Sequence, residues 1–227
     1  DYIAVNKLDV ISSKLFITEL SKILSSYNCS LLGGETSELP DLIKENQFDV
    51  AGFAIGMVKK DNILSSSSVK QDDIIIGLCS SGPHSNGFSL IRKLYSHNLL
   101  DENDFNTALT PTTIYVKEIL ELCNKQLINS CANITGGGIL QNLARIIPEG
   151  LSAVLYKDNI PIQPLFSKIQ TIIGEEEAYN TFNMGVGMCL IAGEDKLEEI
   201  FKICAKYNPF VFGKVVKNEK SCSVWFG

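Results

Sequence analysis

With 227 residues, 45% of them hydrophobic and 20% charged, the chain has enough apolar content for one large or two small globular domains. A net charge of −6, with Arg92 and Arg145 the only arginines, argues against a nucleic-acid surface, which needs clustered cations; no apolar run reaches membrane-spanning length, and the first residues carry no basic-then-apolar pattern. The seven cysteines (Cys29, Cys79, Cys123, Cys131, Cys189, Cys204, Cys222) lack a C-x-x-C pair, and His84 and His97 are the only histidines, so buried free thiols in a reducing cytoplasm are expected rather than disulfides or a His-rich metal centre.

In chain order, Tyr2-Ile3-Ala4-Val5 reads as a strand. Residues 12–26 read as an amphipathic helix with Leu15, Phe16, Leu20, Ile23 and Leu24 inward and Ser12 or Ser13 as its cap. A short strand over 29–32 leads into Gly33-Gly34-Glu35-Thr36-Ser37-Glu38, where two carboxylates and a hydroxyl follow a tight turn. Such oxygens suit Mg²⁺; the plainer alternative is a solvated turn. Residues 48–58 read as a strand, with Gly52 and Gly56 marking a bulge or a close backbone approach. The serine run 65–68 reads as a domain boundary.

Residues 73–88, DIIIGLCSSGPHSNGF, are the most informative stretch. Residues 74–79 form an apolar, β-branched run too short for a helix, which predicts a strand covered on both faces. Loop 80–87 then carries Gly82 and Gly87 around His84, and a helix over 88–100 follows with Leu90, Ile91, Leu94 and Tyr95 on one face. The same order recurs at 132–147, through Thr135, Gly136, Gly137 and Gly138. Strand, glycine loop and helix together turn free backbone N–H groups and a positive helix end toward an anion, although each loop alone is compatible with an ordinary turn.

Further on, 101–110 read as polar and irregular, and 114–127 as a long helix with Val116, Ile119, Leu120 and Cys123 inward. Residues 151–156 read as a strand and 164–173 as a short helix. A polar insertion carrying Thr181, Asn183 and Gly185 precedes a strand over 186–191. A helix over 195–207 and strands over 210–216 and 223–226 complete the chain. The elements alternate without strict βαβ order, so the expected class is α+β with mixed sheets flanked by helices.

Six segments occur in order: GGETSELP (33–40), DVAGFAIG (49–56), SSGPHSNGFSLIRK (80–93), LTPTTIYVK (109–117), NITGGGILQNLAR (133–145) and TFNMGVGM (181–188). Together they resemble the motifs of the phosphoribosylformylglycinamidine cyclo-ligases, also called aminoimidazole ribonucleotide synthetases, over nearly the whole chain. The resemblance implies the C-terminal part of a two-domain cyclo-ligase-like fold. Residues 1–64 would be the remainder of an N-terminal, dimerising, ATP-binding domain, and 65–227 the C-terminal α+β domain. It further implies ATP-dependent ring closure of formylglycinamidine ribonucleotide to aminoimidazole ribonucleotide, through phosphoryl activation of the formyl oxygen. The setting implied is a cytoplasmic homodimer that uses Mg²⁺ and meets neither nucleic acid nor membrane.

By the same resemblance, Glu35 would contact Mg²⁺ and the nucleotide, with Thr36 beside it. Ser81, Gly82, Ser85, Gly87, Thr135, Gly136, Gly137, Gly138, Asn183 and Gly185 would grip phosphate, ribose and the substrate amides. His84 and Asn86 are the candidate catalytic residues, His84 either moving a proton during cyclisation or only positioning ligand. The family pattern starts upstream of Asp1, so the 227 residues alone are expected to be catalytically incomplete; Asn133 stands where the family tends to carry His. Two other readings are a formylglycinamidine ribonucleotide synthetase-like enzyme of the same structural group and a fragment that only binds or dimerises.

Overall fold

The computed structural model describes residues 1–218 and 223–227; Cys222, one of the thiols expected to be buried, lies outside the described residues. The chain divides into two units, residues 1–59 and 60–227.

In the first unit, β1 (Tyr2–Val5), β2 (Glu35–Glu38) and β3 (Phe48–Ala51) form a sheet ordered β2-β1-β3. β1 is parallel to β2 and antiparallel to β3, with Ile3 opposite both Thr36 and Val50. Parallel neighbours need a long crossover, here α1 (Val10–Ser26). Its cap is Asp9 rather than Ser12 or Ser13: the Asp9 carboxylate accepts the Ile11 N–H at 3.0 Å, satisfying a donor the helix leaves free. Residues 29–32 form no strand; the ladder runs instead through Glu35–Glu38, a segment with no apolar residue, because β1 offers it an edge. The strand expected over 48–58 stops at Ala51. Ile3 and Ala4 are buried, every residue of α1 stays at least partly exposed, and Leu32, Phe53 and Ile55 are 79–90% exposed.

The second unit is built on a six-stranded sheet. Its strands are β4 (Ile74–Cys79), β5 (Ser130–Asn133), β6 (Leu151–Leu155), β7 (Val186–Ala192), β8 (Phe210–Lys217) and β9 (Val224–Phe226), ordered β5-β7-β4-β8-β6-β9. Neighbours are antiparallel except β6 and β9. Its helices are α2 (Phe88–Ser96), α3 (Glu102–Ala108), α4 (Val116–Asn124), α5 (Gly138–Ala144), α6 (Pro164–Ile173), α7 (Glu175–Thr181) and α8 (Leu197–Ile203). Successive residues of a strand face opposite ways, so Ile75 enters one core while Ile76 and Leu78 enter another. The first core takes Ile91 of α2, Ile139 of α5, Phe166 of α6 and Phe212 of β8. The second takes Leu122 of α4, Leu190 of β7 and Ile200 of α8. Helices therefore cover both faces, which is why β4 reads as an unbroken apolar run; the class is α+β with mixed sheets flanked by helices.

Several local expectations are corrected. Residues 101–110 contain α3, held at its start by a capping box in which Asp101 and Asp104 each accept the other's backbone N–H at 2.9 Å. Lys168 pairs with both carboxylates. α4 begins only at Val116 and buries Leu122, leaving Val116 and Leu120 exposed. α2 ends at Ser96, and the polar insertion after α6 holds α7. Among the thiols, Cys29 is exposed, Cys79, Cys123 and Cys131 are half-buried, and Cys189 and Cys204 are buried. Burial pushes the thiols of Cys131 and Cys204 up to about 11. Among the described residues, no helix is long and apolar enough to cross a membrane.

Candidate functional site

The β4 register against β7 shifts between Leu78 and Cys79, and the chain leaves the sheet there into loop 80–87. Three amide side chains hold the carbonyl side of the two glycine loops. Asn183, buried, donates from Nδ2 to Gly82 O at 2.9 Å, while its Oδ1 accepts the Ser80 hydroxyl at 3.1 Å and the Gly185 N–H at 2.9 Å. Gln163 donates to Ser80 O at 2.5 Å. Asn142, also buried, sets its Nδ2 2.7 Å from Gly138 O and 3.3 Å from both Thr135 O and Gly136 O; its Oδ1 accepts the Thr135 hydroxyl at 3.2 Å. Loop carbonyls are thus engaged from beneath, and the N–H groups of Gly136 and Gly137 make no hydrogen bond among the described residues.

The loops meet. Asn86 Oδ1 lies 3.7 Å from where a Cβ on Gly136 would stand. Residues 182–187 run between them: Ser80 N–H donates to Gly185 O at 2.8 Å, and Ile134 N–H to Gly187 O at 3.0 Å. Close approach by neighbouring atoms explains two glycines. A Cβ on Gly138, at φ +63°, would stand 1.9 Å from Tyr179 O. One on Gly187 would meet Tyr115 Oη at 2.0 Å and His84 Cε1 at 2.6 Å. The segment before α4 closes another side, with Ser81 Oγ donating to Pro111 O at 2.7 Å and Ser85 Oγ 3.3 Å from Thr112 Oγ1.

His84 sits at φ +56°, an uncommon conformation for a residue with a side chain, and its ring is buried. The N–H of Ser81 donates to its Nε2 at 3.2 Å, and that of Thr113 approaches the same atom at 3.5 Å. Burial depresses its basicity below the usual imidazole value. Tyr115 packs against it, ring centroids 6.2 Å apart, and donates to Cys79 O at 2.8 Å; burial drives its phenol well above the ordinary range. His97 is exposed, and so is Asn133.

Ser81, Gly82, His84, Ser85, Asn86, Gly87, Thr135, Gly136, Gly137, Gly138, Asn183 and Gly185 thus belong to one cluster of loops in the second unit. Glu35 and Thr36 belong to the first, on β2. There the Glu38 carboxylate is engaged by the Leu8 N–H at 2.7 Å, whereas that of Glu35 is exposed, with Ser37 Oγ at 3.5 Å, and borders a cavity of about 290 Å³ shared with Thr36 and Gly34. Of the two carboxylates, Glu35 therefore fits Mg²⁺, which needs one or two carboxylates beside ligand phosphates. Among the described residues no three His, Cys, Asp or Glu side chains gather as a metal site. Asn142, Gln163 and Tyr115 were missed in the sequence. Asn142 left one trace, a polar residue amid the apolar stripe Ile139, Leu143, Ile146.

Residues 70–225 match the family model described as AIR synthase related protein, C-terminal domain. A phosphoribosylformylglycinamidine cyclo-ligase of Clostridium perfringens is 44% identical over 220 residues, which take in 93% of this chain and 65% of that one. A cyclo-ligase of Clostridium botulinum is 40% identical over 227 residues, 97% of this chain and 69% of that one. The chain thus spans about two thirds of the length of the curated relatives it matches. Among solved structures, E. coli HypE, a hydrogenase maturation protein, aligns with a TM-score of 0.66 at 14% identity over 99% of this chain and 68% of its own. The thiamine-monophosphate kinase of Stenotrophomonas maltophilia aligns at 0.66 and 15%, over 99% and 70%. These two likenesses concern the fold. With the family model and the relatives in agreement, the chain belongs to the phosphoribosylformylglycinamidine cyclo-ligases of the AIR synthase related family.

Proposed function

We propose that the protein of which this chain is part closes formylglycinamidine ribonucleotide to aminoimidazole ribonucleotide at the expense of ATP, in the cytoplasm. The observation that carries this reading is the meeting of two glycine loops, Asn86 Oδ1 against the backbone of Gly136, with their carbonyls tied down by side-chain amides. Charge in phosphoryl transfer spreads over several oxygens, and a set of fixed N–H donors neutralises it without reorganising during the reaction.

In this reading Gly82, Gly87 and the Thr135, Gly136, Gly137, Gly138 loop grip phosphate or ribose, with the Ser81 and Ser85 hydroxyls at the rim, and Asn86 presents its amide to the substrate. Glu35 holds Mg²⁺, which neutralises nucleotide phosphate when bound, with Thr36 alongside. Residues 1–64 are the remainder of an ATP-binding, dimerising domain, and the exposed Phe53 and Ile55 are the kind of surface a second copy would cover. Asn183 and Gly185 shape the loops from beneath. The test is direct: full-length protein is given formylglycinamidine ribonucleotide and ATP, and absence of aminoimidazole ribonucleotide removes the proposal.

A further inference from the structure

We infer that His84 works as a neutral imidazole that donates a hydrogen bond from Nδ1, with its other nitrogen committed to the backbone and closed to proton acceptance. This rests on the cyclo-ligase reading for its use, but on geometry for its form. Two amide N–H groups, of Ser81 at 3.2 Å and Thr113 at 3.5 Å, point at Nε2. An N–H can only donate, so Nε2 must present its lone pair, and the single proton of the neutral ring sits on Nδ1. Protonating Nε2 would set an N–H against two others in a buried place. Burial is the cause of the depressed basicity of the ring, with no charged neighbour contributing. The ionisable group packed on it, Tyr115, is held as a neutral phenol.

Nδ1 has no hydrogen-bond partner among the described residues. Nor is it sealed in, since among those residues the polar side-chain atom that is both buried and unpartnered is Tyr179 Oη. It is therefore the one nitrogen of the ring open to a ligand. A ring turned by 180° would set the Cε1–H against the Ser81 and Thr113 N–H groups and forfeit both contacts, so the hydrogen bonds fix which nitrogen faces the backbone. A donor fixed in this way stabilises negative charge on an oxygen, such as a phosphoryl oxygen or the activated formyl oxygen. It takes no proton from the attacking nitrogen, because accepting one would require Nε2. The proton that ring closure releases leaves instead with the departing phosphate or water, and no bond to His84 forms or breaks.

The experiment uses the full-length enzyme with ¹⁵N-labelled histidine, the His84 signals being assigned by their loss in His84→Gln. Between about pH 6 and 8 the expected pattern is a protonated Nδ1 beside an unprotonated, hydrogen-bonded Nε2. Asparagine places its amide nitrogen near the Nδ1 position and glutamine near Nε2. With both variants folded, His84→Gln should lose about tenfold more kcat/KM than His84→Asn, the worth of one hydrogen bond to a charged oxygen. A proton found on Nε2, or equal losses in the two variants, overturns the inference. Absence of turnover in the wild-type enzyme overturns the cyclo-ligase reading alone, and the nitrogen signals still decide the tautomer.

Discussion

Replacing Asn183 by Ala separates a residue that shapes the loops from one that touches substrate. The side chain makes three hydrogen bonds, to Gly82 O, from Ser80 Oγ and from Gly185 N–H, all out of water's reach. Its removal leaves an acceptor and two donors without partners, at roughly 1–3 kcal/mol for each buried group, partly relieved where water enters the space left behind. A loss of about 3–5 kcal/mol is expected. The sole tryptophan, Trp225 on β9, lies in the second unit, so its fluorescence during urea unfolding reports that unit selectively. At ~2–4 °C per kcal/mol for a domain of this size, the thermal midpoint should drop by roughly 6–20 °C. Asn86→Ala serves as the comparison: Asn86 is half-buried at the loop mouth, and its removal should change stability by less than about 0.5 kcal/mol while raising KM. If Asn183→Ala instead leaves the unfolding free energy within about 1 kcal/mol of the wild type and raises KM alone, the amide serves the ligand and the clamp argument fails.

Gly187→Ala should cut kcat/KM by tenfold or more at a stability cost of roughly 1–3 kcal/mol, because the new methyl displaces Tyr115 and His84; unchanged kinetics in a folded variant would contradict the geometry. Leu122→Ala, at a fully buried position of the second core, should destabilise by roughly 2–5 kcal/mol in the same urea experiment without changing KM. For pH, the folded-state basicity of His84 lies below its unfolded value, so the unfolded chain binds the proton first. The His84 contribution is complete above about pH 6.5 and is lost as pH falls through the lower, folded value. His84→Asn should flatten that acid slope in stability measured from pH 7.5 to 5, and an unchanged slope would rule out the ring as its source.

What could be read from sequence was whatever a short window determines. Residues 164–173 announce a helix with proline at its first position and Leu165, Phe166 and Ile169 on one face. β4 announces itself by β-branched residues, and the loop glycines by their clustering. Segments whose state depends on distant partners were not legible. Glu35–Glu38 is a strand only because β1 pairs with it, and 29–32, more apolar, is not. α3 lacks an apolar period and is held by its capping box and by Lys168, more than sixty positions away. The candidate site divides in the same way: the loops show, but the clamps joining Asn183 to Gly82 and Gln163 to Ser80 span 101 and 83 positions.

The strand order has a temporal consequence. β4 pairs with β7 and β8, which leave the ribosome roughly a hundred residues later. Until then Ile74-Ile75-Ile76 has neither edge paired, the condition in which nascent chains cling to each other or to chaperones. The loops at its end take shape only after this distant pairing, so a ligand that requires them selects completed molecules and favours their survival by mass action.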